Sequence, residues 1–140
     1  MSATDDLWGD LPLDVTIRPP AVFLKEQASI LTVRTRGLLR GEVSYLRAAP
    51  NLQAALDIVA PALQGYRLRL LIIEHAIVFY PLQMTDVLNG ITRDAPSEDQ
   101  YVTLLKSLLS SRKVHDAVGS LLSQVKAGLP SEAENSSPSA

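Results

Sequence analysis

Cysteine is absent from the 140-residue chain, which excludes thiol catalysis, disulfide staples and thiolate zinc sites. A domain without disulfides must stand on its hydrophobic core. Long apolar runs are also missing. Residues 52–82 form the greasiest stretch, yet Asp57, Arg67, Arg69, Glu74 and His75 interrupt it. It therefore falls short of the ~20 apolar residues of a spanning helix. Residues 1–8 show no basic region followed by an apolar run, so no secretory signal is read there. The expectation is a cytoplasmic protein that does not enter membranes.

An excess of one charge is lacking too. Thirteen Lys and Arg face fifteen Asp and Glu, for a net charge of −2, so nothing in the total neutralises a phosphate backbone and nucleic-acid binding is not expected. The seven glycines stand singly, at 9, 37, 41, 65, 90, 119 and 128, and no Gly-Lys-Ser/Thr follows any of them. A phosphate cradle needs them clustered before a helix, so no nucleotide cofactor is expected. The two histidines, His75 and His115, lack a second ligand at helical spacing, and surface positions account for both. No serine lies in Gly-x-Ser-x-Gly. The short match at Ser110-Ser111-Arg112-Lys113 is explained by helix capping. Glu42, Asp57, Glu74 and Asp86 fall one per element, so spacing brings no two carboxylates together. No catalytic, cofactor-binding or metal-binding residue is assigned.

What remains is a globular pattern, with 46% apolar residues. Residues 1–18 read as an acidic arm, with Asp5, Asp6, Asp10 and Asp14 against Arg18, and with Trp8 beside Leu7, Leu11 and Leu13. Such an arm is either a peptide that docks in a partner's groove or a strap over its own domain. The strap is the expectation, because apolar arms usually cover local core. Pro19-Pro20 opens a helix to about residue 36, with Leu24, Ala28, Leu31 and Thr35 on one stripe and Gly37 as its stop. From 38 to 47 the period becomes two, which predicts a strand. Residues 52–63 fit both periods; Pro61 favours a strand that ends there, before a turn at Gln64-Gly65.

Residues 66–73 give the clearest alternation, with Tyr66, Leu68, Leu70 and Ile72 on one face and Arg67, Arg69, Leu71 and Ile73 on the other. Glu74-His75 reads as a reversal into a strand over 76–82, placed at a sheet edge by Pro81. A loop through Asn89-Gly90 leads to a helix capped at Ser97, and Ser110-Ser111 divides it from another that ends at Gly128. Residues 129–140 are small and polar and are expected to be disordered. The predicted fold is α+β: an N-terminal helix, an antiparallel sheet of three to four strands, and one or two C-terminal helices, in a single domain over 19–128.

Function follows less directly. Residues 21–93 carry eight basic groups against five acidic ones, and both flanks are acidic. The predicted strands are apolar on both faces, and strands of that kind need cover on both. The expectation is therefore a non-enzymatic, protein-interaction or self-associating accessory domain. It would form a homo-oligomer, a dimer, or bind a protein partner, with Arg67, Arg69, Leu71 and Ile73 as the contact surface. The alternative is a small-molecule binding or sensing domain, with a pocket between sheet and helices and Tyr45, Tyr66 or Tyr80 as the polar handle. A third reading is an acid-base enzyme using His75 with a carboxylate.

Overall fold

The structure, a computed structural model, describes residues 5–128. The tail expected at 129–140 lies outside the described residues. The first helix, α1, spans Pro20–Arg34 with proline in its first turn, where no amide partner is lost. Its inner stripe of Ala21, Leu24 and Ala28 is buried. Beyond it the chain turns through Arg36 and Gly37, both in the left-handed region. Two threonines stitch that turn. Leu39 N donates to Thr35 Oγ1 at 3.1 Å, and Gly41 N donates to Thr32 Oγ1 at 3.0 Å.

Five strands then follow as a meander: β1 (Arg40–Arg47), β2 (Leu52–Ala60), β3 (Tyr66–His75), β4 (Leu82–Asp86) and β5 (Ile91–Ala95). They pair antiparallel in chain order, so β1 and β5 are the edges. A 3₁₀ turn at Pro61–Leu63 leads into Gln64-Gly65, both at positive φ. Helices α2 (Glu98–Leu109) and α3 (Arg112–Lys126) close the chain, capped by Ser97 Oγ on Gln100 N and Ser111 Oγ on Val114 N. The fold is α+β, with three helices and five strands among the described residues rather than the three or four strands expected.

The extra strand has a physical source. Glu74 and His75 do not reverse the chain; they continue β3 and pair with Gln83 and Leu82. The apolar run after them is mostly the connection, in which Ile77 and Val78 are exposed and Phe79 sits at φ 72°. The true hairpin is β4–β5, turned by Asn89-Gly90 with Asp86 holding Asn89 N.

One buried cluster joins α1, α2 and α3 to a single face of the sheet. It holds Leu56, Ile58, Leu71, Ile73, Leu82 and Met84 beneath Leu24, Tyr101, Leu105 and Leu121. Gly41 marks the tightest point. A Cβ there would lie 2.6 Å from Ala28 Cβ and 2.7 Å from its carbonyl oxygen, so only glycine lets α1 settle on β1. The opposite face of the sheet carries Arg40, Glu42, Asp57, Arg67, Arg69 and Glu74, and no helix among the described residues packs on it.

Strict alternation fails once in β3. Leu56 pairs with Leu71 and Asp57 with Arg69, so Leu70 is an inserted bulge residue. A bulge shifts every later side chain to the other face. Leu70 and Leu71 both enter the core, and from there the odd-numbered residues point toward the helices. Leu71 and Ile73 are each 0% exposed. They do not share the arginine face, which corrects the face assignment made from alternation.

Candidate functional site

On the helix-free face, Asp57 is the hub. Arg69 grips it with Nε on Oδ1 at 2.9 Å and Nη2 on Oδ2 at 3.3 Å. Arg67 donates to the same Oδ2 at 3.0 Å, and its other nitrogen donates to Glu42 at 2.8 Å. These carboxylates hold both guanidinium pKa values above their ordinary position: Glu42 and then Asp57 for Arg67, and Asp57 for Arg69. Asp57 itself is fully covered, whereas its partners keep their outer atoms in water. Beside this knot, Glu74 accepts from Gln53 at 2.8 Å, Asn51 at 3.1 Å and Arg47 at 3.0 Å. The bonds from Gln53 and Asn51, with Arg47 behind them, lower its pKa below the usual carboxylate range.

Arg67 and Arg69 thus sit together on an open surface, with two donor nitrogens of each already engaged by Asp57 or Glu42. A free anion would have to displace Asp57, a covalently tethered ligand, so the pair is a poor phosphate site. Leu71 and Ile73 are under the helices and cannot touch another molecule.

The acidic arm behaves differently from the strap expected of it. Residues 5–18 are exposed throughout, with Leu7 at 88%, Trp8 at 76% and Leu13 at 84%. Leu11, Leu13, Val15 and Ile17 alternate with Pro12, Asp14, Thr16 and Arg18, and all four apolar members face water. That alternation is legible in the sequence as a strand pattern, and it was the signal passed over. Only the base of the arm is held: Arg18 pairs with Glu26 and lies 4.2 Å above the Phe23 ring.

The histidines separate. His115 is exposed on α3, whereas His75 is only 7% exposed, so it is not a surface residue. Its Nδ1 lies 2.7 Å from Ala76 O, and its ring meets Phe79 edge-on. Among the described residues no group of three or more His, Cys, Asp or Glu is arranged to hold a metal ion. No helix among them is long and apolar enough to cross a membrane.

The expected pocket between sheet and helix has a counterpart. A groove of about 580 Å³ runs between α3 and the start of β3, lined by Leu63, Tyr66, Leu68 and Leu121, with Lys113 and Gln124 at its rim. Tyr66 is half exposed there. Tyr45 lies elsewhere, exposed on β1 near Lys25. The Tyr80 hydroxyl is buried with no partner among the described residues, and burial, reinforced by the charge of Glu98, pushes its pKa up to about 12. No family model matches the chain, and no curated protein or solved structure matches it either.

Proposed function

We propose that this domain is a non-enzymatic, cytoplasmic accessory protein that works by association, as a homodimer or with a protein partner, and that its N-terminal arm is the contact element. The observation that carries the reading is the exposure of Leu7, Trp8, Leu13, Val15 and Ile17, between 63% and 88% each, in a segment that its own domain leaves uncovered. Arg67 and Arg69 stay at the surface as polar neighbours, while the apolar contact moves from Leu71 and Ile73 to the arm.

Magnitudes decide what kind of association to expect. Burying six large side chains is worth ~1.5–3 kcal/mol each. Ordering the arm costs ~1–2 kcal/mol per residue in backbone entropy, and joining two molecules costs several more. Ordering outweighs apolar burial on these terms, so the complex must draw on backbone hydrogen bonds as well, and it is to be sought at high concentration. Trp8 is the sole tryptophan and reports on the arm directly. Light scattering across a concentration series should show mass rising above that of one chain. Over the same range the Trp8 emission should move to the blue. A chain that stays monomeric throughout, with Trp8 emission that never moves, would overturn the reading.

A second reading rests on the groove beside Tyr66. Its apolar floor and its rim of Lys113 and Gln124 suit a small amphipathic ligand with a polar end. A ligand that raises the melting temperature of the protein, and does so less in Tyr66→Phe, supports it.

A further inference from the structure

The association argued above leaves open what receives the arm, and the structure narrows it. Residues 11–18 have the period of a strand and exposed side chains; in the isolated chain Leu13 N donates to Leu11 O at 2.9 Å, and once the segment extends its amides need a sheet edge. Of the two edges, β5 is five residues long, whereas β1 is eight; α1 packs along β1 and takes its Gly41 amide with Thr32 Oγ1, which leaves the outward-facing stretch from Val43 onward for a partner. The arm's alternating stretch is also eight residues. An exposed aromatic group stands on the β1 edge itself, Tyr45, with Lys25 of α1 over its ring.

Charge points the same way. The arm carries Asp5, Asp6, Asp10 and Asp14. Lys25, Arg34, Arg36 and Arg40 lie on α1, β1 or the turn between them, and none of these four has a carboxylate partner among the described residues. The arm does not take the edge of its own chain. Its base is held where Arg18 lies on Phe23, and Phe23 packs edge-on against Tyr101 of α2. Lys25, not Phe23, is the α1 residue that faces Tyr45. The arm therefore starts on the side of α1 turned toward α2, away from β1.

We propose that residues 11–18 of one copy add as a sixth strand to the free β1 edge of a second copy, with the exchange made in both directions about a two-fold axis. This rests on the association reading and names its surface. In an added strand, alternate residues direct both backbone groups inward. Pro12 has no amide to donate, so it belongs on the outward set with Asp14, Thr16 and Arg18. Leu11, Leu13, Val15 and Ile17 then bond to β1. Both Val15 and Thr16 are exposed in the isolated chain, so substitution at either leaves the domain fold intact.

The test uses the full chain in sedimentation, with amide hydrogen exchange read across concentration. A dimer that weakens with salt is expected, and its formation protects the Leu13, Val15 and Ile17 amides of the arm together with the outward-facing Val43 and Tyr45 amides of β1. Val15→Pro raises the dimer dissociation constant by about tenfold or more, while Thr16→Pro changes it by less than about threefold. A dimer insensitive to Val15→Pro, with the outward-facing Val43 and Tyr45 amides unprotected, overturns the strand exchange and leaves association standing through another surface. Protection of the outward-facing Val43 and Tyr45 amides at every concentration in a monomer places the arm on its own edge and overturns the exchange. A strict monomer without protection overturns it together with self-association.

Discussion

Gly41→Ala tests whether α1 is seated on β1 as closely as the structure shows. The added methyl would stand 2.6 Å from Ala28 Cβ and 2.7 Å from Ala28 O, and closer still to Ala28 Cα. Carbon atoms rest at ~3.5–4.0 Å, so α1 must retreat by roughly 1 Å. Overpacking of this kind costs ~1–3 kcal/mol, and the upper end applies because the obstacle is backbone. Retreat also loosens the 3.0 Å bond from Gly41 N to Thr32 Oγ1, for about 1 kcal/mol more. The total is ~3–4 kcal/mol, against a whole-domain stability of ~5–15. Urea unfolding followed by circular dichroism should therefore show the midpoint falling by about 1–3 M. Ala28→Gly in the same chain should recover little, because Cα and the carbonyl oxygen remain. A midpoint shift below about 0.5 M, or full rescue by Ala28→Gly, would refute the close approach.

Three further outcomes follow from the core and the polar face. Tyr101→Phe removes a buried bond, donated by the phenol to Pro20 O at 2.9 Å, and should cost ~1–2 kcal/mol, seen as a lower melting temperature. Tyr80, with its pKa raised to about 12, resists ionisation when folded. The unfolded phenol ionises first, near 10, so its contribution is complete below pH 10 and is lost as pH rises toward 12; Tyr80→Phe should flatten that part of the stability curve. Glu74 is shifted the opposite way by Gln53, Asn51 and Arg47. Its contribution is present above the ordinary glutamate range and disappears as pH falls through the lowered folded value, so Glu74→Gln should flatten the acid limb of denaturant midpoints against pH.

The helices were legible because their signals are local. Pro20, Ser97 and Ser111 begin them where proline geometry or a capping hydroxyl dictates. The ambiguous run at 52–63 resolved as a strand to Ala60 before Pro61, as proline required. The sheet was harder to read beyond Leu70. Nothing local marks a bulge in Arg-Leu-Arg-Leu-Leu-Ile-Ile, since a doubled leucine serves equally in a two-sided strand. The appearance of apolar excess on β3 came from that one inserted residue. β5 was hidden for another reason: Ile91, Thr92, Arg93 and Asp94 are all exposed, so burial imposed no alternation on their sequence. Its partner was readable in retrospect, from Leu82 and Met84 alternating before an Asn-Gly turn. As for the candidate surface, charge and composition marked the arm, but not whether its own domain covered it. That depends on where α1 points the chain.

The same geometry explains why association belongs to the arm and not to the helix-free sheet face. That face looks available, since no helix among the described residues covers it, yet its guanidinium and carboxylate groups, Arg40 apart, are bonded to one another. A partner docking there must strip water from Arg67 and Arg69, which are 47% and 37% exposed, and gains almost no apolar area in return. The arm presents the reverse balance: apolar side chains in water, and backbone without a ladder. The two regions should therefore answer differently to substitution. Asp57→Ala unties the arginine knot and should lower the denaturation midpoint while leaving the association constant within about twofold, because no contact passes through it. Leu13→Asp removes nothing from the folded core and should leave the midpoint unchanged within ~0.5 kcal/mol, while abolishing association measured by sedimentation. If instead Asp57→Ala dissolved the complex and Leu13→Asp spared it, the sheet face would be the contact surface, and the arm would have to be explained by something other than a partner.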